Sequence, residues 1–270
     1  MNKPTVAKLA EIIEKRYPKS LAVEWDRVGL ETNNQELEVE RVLLTIDVTP
    51  EVIAEAIEKS INLIVSHHPL ILDPEEISDI QEKRISMKKE LENKNVALYV
   101  AHTNADIAQG GVNDSLAKIL GLKNIKVFGI ENMGRIGDLS SQISLGEFIK
   151  QIKSKLPEVS NSIQVSGNLE NRIFKVAVCG GSGASLLPEI RQTEADVFVT
   201  ADLKHHVVSD HQIMHGPALI SVSHWASEWV WLPELKNQLE ADFASEDLSV
   251  QIFVSNVITD PWSFSLGSEK

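Results

Sequence analysis

Cysteine is nearly absent from this chain, since Cys179 is the only one among 270 residues. A single cysteine excludes an intrachain disulfide and a metal site built from thiolates, which is typical of a reducing compartment. Any metal site must therefore use imidazole and carboxylate ligands. Cys179 itself is expected to be a small buried apolar residue.

Positive charge is also scarce. Lys and Arg number 26 against 39 Asp and Glu, which gives a formal net charge of −13. Proteins that bind nucleic acid usually carry a basic patch or an overall basic balance, and anionic membrane surfaces attract basic segments. We therefore expect neither a nucleic acid nor a membrane surface as a partner.

Long apolar runs are missing as well. No run approaches the roughly 20 residues that a membrane-spanning helix needs. The opening stretch, MNKPTVAKLAEIIEKRYPKS, alternates charged and apolar residues and contains no hydrophobic signal core. These features predict a cytoplasmic protein.

Short β-branched runs alternate with helical segments along the chain. Arg41–Val48 reads as a buried strand and Pro50–Ser60 as a helix with proline near its first turn. Such alternation predicts an α/β protein with two lobes, whose mixed or mostly parallel sheets are flanked by helices. Because no long linker marks a boundary, we place it by pattern alone. A metal-binding lobe is expected at residues 1–127 plus 218–270, and a second lobe at 128–217.

Polar residues follow four apolar strands at the point where each strand ends. The four groups are His67 and His68; His102, Thr103, Asn104 and Asp106; Thr200, Asp202, His205 and His206; and His224 with Glu228. A lone histidine at a strand end is more often a hydrogen-bonding residue than a ligand. Six of the eight histidines fall in these groups, however, and ligands collect at the carboxyl ends of strands in α/β sheets.

Imidazole and carboxylate without thiolate suit Zn, Mn, Fe, Co or Ni. Ligands from different strand ends can share two such ions. The sequence therefore predicts a metal site at strand carboxyl ends between the lobes.

The pair His224 and Glu228 is spaced by four residues, so both side chains would share one face of a helix. Pro233 limits this interpretation, because a helix running from 224 past a proline would kink. Two geometries stay open. Either the helix begins at His224, or it begins near Ala226 and His224 lies on the preceding turn.

Two further motifs have more ordinary interpretations. The glycine-rich CGGSGAS, Cys179–Ser185, could cradle a phosphate ahead of a helix. It lacks the full dinucleotide-binding spacing and a P-loop lysine, so a tight strand–helix turn is favoured. His211 and His215 in HQIMH are four residues apart with no carboxylate after them, and are expected to be solvent-exposed polar residues.

Taken in order, the motifs resemble those of the dinuclear-metal-centre family known as GTP cyclohydrolase I type 2 homologues. The resemblance covers nearly the whole chain. The matching stretches are WDRVGL, TIDVTPEV, LIVSHHPLIL, AHTNADIAQGGVND, VAVCGGSG, VTADLKHH and SHWASE.

This resemblance implies two divalent metal ions per chain and a toroidal homohexamer with its sites facing an internal cavity. Glu228 is the implied bridge between the ions. The metal ligands that it implies are His67, His68, Asp106, His224 and Glu228.

Small departures from the family pattern leave every implied ligand in place. Arg27 stands where the family usually has Asn, and Ala105 where Leu is common. Ala201 and Ser223 each replace a Gly. Arg27 and Ala201 could alter access to the pocket, which puts the substrate preference in question.

The family name implies a hydrolase in which metal-activated water attacks a purine nucleotide ring or a related small molecule. His102 is the candidate proton carrier, with a hydrogen-bonded strand cap as the alternative. Asp202, His205 and His206 are candidate substrate contacts, although Asp202 could instead cap a helix. For a triphosphate, Lys204 and Arg135 are the candidate cations. A non-catalytic metal carrier, regulator or scaffold is the alternative function, and an interaction module whose metals only hold the fold is a third.

Overall fold

The computed structural model describes residues 3–72, 78–160 and 162–266. Its helices are α1 (Val6–Arg16), α2 (Pro50–Glu58), α3 (Asp79–Asn93), α4 (Thr103–Ile107), α5 (Val112–Ile119), α6 (Leu145–Lys155), α7 (Leu187–Ile190), α8 (His205–Ile213), α9 (His224–Trp229) and α10 (Trp231–Ser245). Within the described ranges, no helix is both long enough and apolar enough to cross a membrane.

The strands are β1 (Gly29–Leu30), β2 (Arg41–Thr45), β3 (Leu63–Ser66), β4 (Ala97–Val100), β5 (Lys123–Phe128), β6 (Gly134–Ser144), β7 (Gln164–Ser166), β8 (Arg172–Ser182), β9 (Val197–Ala201), β10 (Ala218–Ser221) and β11 (Gln251–Val254). They form a five-stranded sheet and a six-stranded sheet. The prediction of an α/β protein with mixed sheets flanked by helices is confirmed.

Helix starts follow from local capping chemistry. Thr49 caps α2 through its side chain and Pro50 occupies the first turn, where the missing N–H costs nothing. Ser144 and Glu147 form a reciprocal capping box at α6. Ser223 accepts a hydrogen bond from the amide of Ala226 and so starts α9 at His224.

The chain divides into two compact units. The first comprises Met1–Ala108 and Leu232–Thr259, and the second Gln109–Trp231 and Asp260–Lys270. These limits differ from the predicted 127 and 218. Strand β10 pairs with β9 and β7 of the six-stranded sheet, so the chain returns to the first unit only after β10 and α9.

The first unit contains the sheet in the order β1-β4-β3-β2-β11. Strands β2, β3, β4 and β11 are parallel, and β1 joins the edge antiparallel to β4. The register sets Thr45 beside Ser66 and Ser66 beside Val100, so three strands reach the same edge together. The core under this sheet includes Leu43, Ile64, Leu98, Val52 and Leu91, all with no more than trace exposure.

The second unit contains the sheet in the order β5-β6-β8-β9-β10-β7. Strands β8, β9 and β10 are parallel, while β5, β6 and β7 pair antiparallel with their neighbours. The parallel strands are almost continuous apolar runs because helices cover both faces. Apolar clusters on the sheet include Phe148, Val178 and Ile220 in one and Ile190 and Phe198 in the other.

Candidate functional site

The first unit gathers a cluster that we call the first ligand group. Its members are His67, His68, His102 and Asp106. Backbone pairing continues past β3, since the amides of His67 and His68 donate to the carbonyls of Thr45 and Ile46 at the end of β2. Pro69 has no N–H and cannot extend this pairing, so the strand ends at the histidines. Asp106 lies on α4, which begins directly after His102.

The three imidazoles of this group converge. One ligand atom from each of His67, His68 and His102 lies within 4.8 Å of those of the other two. Their ring centroids are 4.9 to 5.5 Å apart. Asp106 Oδ1 lies 3.7 Å from His67 Nε2. Both His67 and Asp106 are buried, with exposed fractions of 1% and 8%.

An oxygen acceptor holds the Nδ1 atom of each imidazole in this group. The pairs are His67 with the Ala101 carbonyl at 2.9 Å, His68 with Asp47 at 2.7 Å, and His102 with Asp26 at 2.9 Å. A carbonyl oxygen can only accept, and an ionised carboxylate likewise accepts, so Nδ1 carries the proton. The lone pair is therefore on Nε2, which is the metal-binding tautomer.

Asp26 is ionised in this arrangement. Its burial by itself raises the pKa of the carboxyl, but hydrogen bonds from His102 and Thr103 more than offset this, and the net pKa is lowered. The carboxylate therefore fixes the His102 ring and also receives the Thr103 amide at 3.0 Å. One residue of the WDRVGL motif thus orients the histidine that follows β4.

The second unit contains a second ligand group, which consists of His224 and Glu228. Both lie on α9, one helical turn apart, and His224 Nε2 is 2.9 Å from Glu228 Oε1. His224 Nδ1 lies 2.6 Å from Asp202 Oδ2. Glu228 is buried, with 3% exposed. Of the two geometries left open by the sequence, the structure shows the helix that begins at His224, and α10 starts anew at Trp231 with Pro233 in its first turn.

Two carboxylates flank His224 and make its surroundings negative. Burial lowers the pKa of this imidazole, but Glu228 and Asp202 more than offset that effect and raise the pKa to about 11. A divalent cation placed here would neutralise the same negative charge and would compete with the imidazole proton. The charge distribution of this group is therefore suited to a metal ion.

The glycine-rich stretch packs against Glu228. Gly181 has φ of +62°, and a Cβ atom at this position would overlap Glu228 Oε1 and lie 3.1 Å from His224 Nε2. The Gly181 amide donates to Ser227 at 2.9 Å, and the Gly180 amide to Asn113 at 2.7 Å. The motif is therefore a backbone wall beside the second ligand group, which agrees with the favoured turn interpretation.

Of the three candidate substrate contacts, Asp202 is the one that touches this group, through His224. Asp202 adopts φ of +56° at the end of β9, and 55% of its side chain is exposed. His205 and His206 are exposed in the first turn of α8, with ring centroids 5.2 Å apart. Lys204 occupies the N-cap position of this helix and makes no side-chain capping hydrogen bond, so the capping alternative for Asp202 is wrong.

Two expectations from sequence are wrong. Arg135 is 2% exposed and donates to Asp114 and to the carbonyls of Asn132 and Gly134, so it cannot reach a substrate phosphate. His211 is 1% exposed and its Nε2 lies 3.0 Å from the Pro217 carbonyl, although solvent exposure was expected. The accompanying His215 is exposed and Cys179 is buried, as predicted.

The residues present fit divalent metal ions. Both groups combine imidazole with carboxylate, the donor set of first-row transition metals. Each of the four histidines also has its Nδ1 held by an oxygen acceptor, which is the usual arrangement of metal-ligating histidines. Sequence reasoning missed Asp26 and Asp47 as the residues that orient His102 and His68. The only local signal was their place in the WDRVGL and TIDVTPEV motifs.

Comparison with known proteins identifies the family of the chain. Residues 4–261 match the family described as Duf34/NIF3 (NGG1p interacting factor 3). A protein of Streptomyces coelicolor named GTP cyclohydrolase 1 type 2 homolog is 33% identical, over 98% of this chain and 96% of its own. A Clostridium perfringens protein of the same name is 34% identical, over 95% of this chain and 98% of its own.

Solved structures show the same fold. A Bacillus cereus protein described as related to NIF3 superposes with a TM-score of 0.89 at 26% identity, covering 98% of this chain and 100% of that one. A hypothetical protein of Staphylococcus aureus gives 0.87 at 31% identity, with the same coverage. The resemblance read from the motifs is confirmed, and the chain belongs to the DUF34/NIF3 family.

Proposed function

We propose that the protein is a metal-dependent hydrolase that binds two divalent metal ions and acts on a purine nucleotide or a related small molecule. One observation carries the proposal. All four histidines of the two ligand groups have Nδ1 hydrogen-bonded to an oxygen, which sets Nε2 as a metal donor.

The metal ligands in this proposal are His67, His68, Asp106, His224 and Glu228. When bound, the ions supply Lewis acidity, which lowers the pKa of water and stabilises the oxygen anion formed on attack. The protein's part is to hold its donors in position. Ala101 and Asp47 do so for His67 and His68, and Asp202 does so for His224.

His102 carries a proton in this proposal. Asp26 holds its Nδ1 proton, so Nε2 can take a proton from one reacting group and return it to another. Its ring lies beside His67 and His68, which places it among the metal-binding atoms as well. His102→Gln distinguishes the two roles, because a proton carrier loses turnover with metal content unchanged, whereas a ligand loses metal.

Asp202, His205 and His206 are proposed to contact the substrate. They are exposed at the end of β9 and in the first turn of α8, so a bound molecule could reach them. Asp202 also fixes the His224 ring, so its substitution changes both metal affinity and KM. His205→Gln and His206→Gln are expected to raise KM several-fold with little effect on metal content.

The test is a substrate panel of nucleotides and phosphoesters, with metal content measured on the same samples. We expect about two ions per chain, and loss of both metal and hydrolysis in His68→Ala and Glu228→Ala. His215→Asn is the matched control, since His215 is exposed and lies outside both groups. Bound metal without hydrolysis of any compound would favour a carrier or regulator over an enzyme.

The family resemblance also implies a cytoplasmic homohexamer, and we include this assembly in the proposal. Light scattering coupled to size-exclusion chromatography tests it directly, because a hexamer has six times the 29.9 kDa mass of the chain. A monomer at micromolar concentration would contradict it.

A further inference from the structure

Two consecutive residues near the end of the chain, Thr259 and Asp260, each contact a residue that positions a histidine of one ligand group. The boundary between the two compact units falls between them, so Thr259 belongs to the first unit and Asp260 to the second. Neither residue is a metal ligand in the proposed function. The hydrogen bonds that they make within their own units nevertheless lead to the two groups.

Strand pairing brings Thr259 to Asp47. Strands β2 and β11 are parallel, with Leu44 beside Val254, so the segments that follow these two strands leave the sheet at the same edge. The amide of Ser255 continues the pairing, because it donates to the carbonyl of Leu44. Beyond this point the hydroxyl of Thr259 donates to Asp47 Oδ2 at 2.5 Å. The contact therefore follows from the parallel register of the two strands.

The two oxygens of the Asp47 carboxylate thus have different partners. Oδ2 accepts from Thr259, while Oδ1 lies 2.7 Å from His68 Nδ1. The side chain of Asp47 is 32% exposed, so water can compete for both oxygens, and a single hydrogen bond would fix the carboxylate only weakly. The bond from Thr259 adds a second fixed point. It holds Oδ1 toward His68 and so keeps the imidazole in its metal-binding orientation.

Asp260 contacts the residue that starts α9. Ser223 is 4% exposed, and its hydroxyl oxygen accepts from the amide of Ala226 at 3.1 Å. The same hydroxyl donates its proton to Asp260 Oδ2. Because a hydroxyl has only one proton, this bond directs the proton away from the helix and leaves a lone pair for the amide. Asp260 is itself held by the amide of Trp262, which lies 3.0 Å from Oδ1.

The N-cap determines where the His224 ring begins. His224 is the first residue of α9 and follows Ser223 directly, so a shift of Ser223 moves the backbone from which the imidazole projects. The family resemblance places Gly at the position of Ser223. Glycine has no hydroxyl and cannot make the bond to Asp260, so this contact depends on a residue in which the chain departs from the family pattern.

We propose that Thr259 and Asp260 are positioning residues for the two ligand groups. Thr259 acts on His68, and Asp260 acts on His224. One short stretch of chain then serves both groups. The inference rests on the metal binding of the proposed function, and it adds two residues that set the metal affinity without touching a metal ion.

The experiment measures the Zn²⁺ affinity of the purified protein by competition with a chromogenic chelator. Thr259→Val removes the hydroxyl and keeps the branched shape, while Asp260→Ala removes the acceptor. We expect each to weaken Zn²⁺ binding about three- to tenfold, which is less than the loss of about 10–100-fold that is typical when a residue bonded directly to a ligand is changed. Thr259→Ser retains the hydroxyl and is expected to restore the affinity.

Double-mutant cycles assign each residue to its group. Thr259→Val should add little to the loss caused by Asp47→Asn, because both variants loosen the same imidazole. Asp260→Ala should add little to Ser223→Gly, a variant that by itself costs the N-cap only a few tenths of a kcal/mol. The crossed pairs, Thr259→Val with Ser223→Gly and Asp260→Ala with Asp47→Asn, should add in full.

Asp210→Ala is the matched control for Asp260→Ala, since Asp210 is exposed on α8 and lies outside both groups. Full additivity within the pairs would overturn the proposal, as would an equal loss of affinity in Thr259→Ser and Thr259→Val. Thermal unfolding of the metal-free variants supplies the remaining readout. A purely structural role would lower the unfolding midpoint and leave the Zn²⁺ affinity unchanged, which would also overturn the proposal.

Failure of this inference can be told apart from failure of the proposed function, because hydrolysis is measured on the same variants. Hydrolysis by the wild type together with additive pairs removes the positioning roles and leaves the hydrolase. Zn²⁺ binding with non-additive pairs but without turnover removes the hydrolase and leaves the positioning roles. A wild type that binds no Zn²⁺ removes both.

Discussion

The two ligand groups bring imidazole and carboxylate side chains together in different ways. The first collects side chains from the ends of β3 and β4 and from the short helix α4. The second places His224 and Glu228 on one helix, one turn apart. The first group therefore depends on strand register, while the second depends on a helix start and on a glycine that lets the backbone approach it.

Their charges differ more than their geometry. In the first group a neutral carbonyl holds His67, and three imidazoles share three carboxylates, one contact each: Asp106 with His67, Asp47 with His68 and Asp26 with His102. In the second group one imidazole lies between two carboxylates, which raises the pKa of His224 to about 11. In the second group the imidazole of His224 holds a proton that a metal ion would have to displace. The metal affinity of this group must therefore depend on pH.

The largest effect is expected from Gly181→Ala. A Cβ atom here would overlap Glu228 Oε1, and φ of +62° is strained for any residue with a side chain. We expect metal content to fall and the free energy of unfolding to drop by more than the roughly 1–2 kcal/mol that a left-handed alanine costs alone. Elemental analysis and thermal unfolding measure the two effects.

Gly121→Ala serves as the control for this strain. Gly121 has φ of +82°, but a Cβ atom added there would meet no other atom within 4 Å, so only the conformational cost remains. Equal stability loss in the two variants, with full metal content in both, would show that the backbone wall beside Glu228 has no role.

Substitution of the orienting carboxylates is expected to have the next largest effect. Asp47→Asn removes the charged acceptor of His68, and such losses typically weaken metal binding by about 10–100-fold. Asp202→Asn should weaken metal binding less than Asp47→Asn does. It loosens His224, but it also removes one carboxylate that favours the competing proton. Competition with a chromogenic chelator gives both affinities.

Asp210→Asn is the control for these two variants, since Asp210 is exposed on α8 and outside both groups. An equal loss of metal affinity in Asp47→Asn and Asp202→Asn would mean that competition between proton and metal does not distinguish the second group from the first.

Metal affinity should also rise with pH. Below a pKa of about 11, the metal-free His224 is protonated, and a metal can bind only the neutral ring, so binding releases this proton. The expected gain is about tenfold per pH unit between pH 7.5 and 9, where ordinary histidines with a pKa of about 6.5 are already neutral. Calorimetry in two buffers of different ionisation enthalpy counts the protons released. An affinity that stays constant over this range would contradict the charge difference between the groups.

The histidines at the strand ends were predictable from the sequence, but the residues that orient these histidines were not. Apolar runs that stop at His67, His102 and His224 indicate both the strand and its functional end, because period and composition are local signals. The contact of Asp26 with His102 joins residues 76 apart, and no local pattern records it. Long-range pairing also decided the unit boundary, since β10 has sheet partners on both sides.

His211 shows the same limit. No carboxylate closely follows His211 and His215 in the sequence, so exposed polar residues were favoured over a ligand pair. The following Gly216–Pro217 turn folds back instead, and a side chain on Gly216 would overlap the His211 ring. Burial here comes from a turn five residues away, not from the helix that carries the residue.

The smallest effect concerns His211, whose surroundings are the reverse of those of His224 in the same unit. Burial lowers the pKa of His211, with a further contribution from Arg191, while the bond to Pro217 opposes the shift. As the pH falls, His211 therefore becomes protonated near pH 6.5 in the unfolded chain but only at a lower pH in the folded chain. Its contribution to stability is complete above pH 6.5 and is lost as the pH falls toward the folded pKa, by at most about 1.4 kcal/mol per pH unit.

His211→Gln, which does not titrate, should flatten this dependence relative to the wild type between pH 7.5 and 5.5. His215→Gln should retain it, because His215 is exposed. Unfolding midpoints at the two pH values provide the measurement, and carboxylates common to all three proteins cancel in the comparison. Parallel pH profiles for wild type and His211→Gln would mean that burial alone does not set the proton affinity of histidines in this unit. The contrast with His224 would then rest on its two carboxylates only.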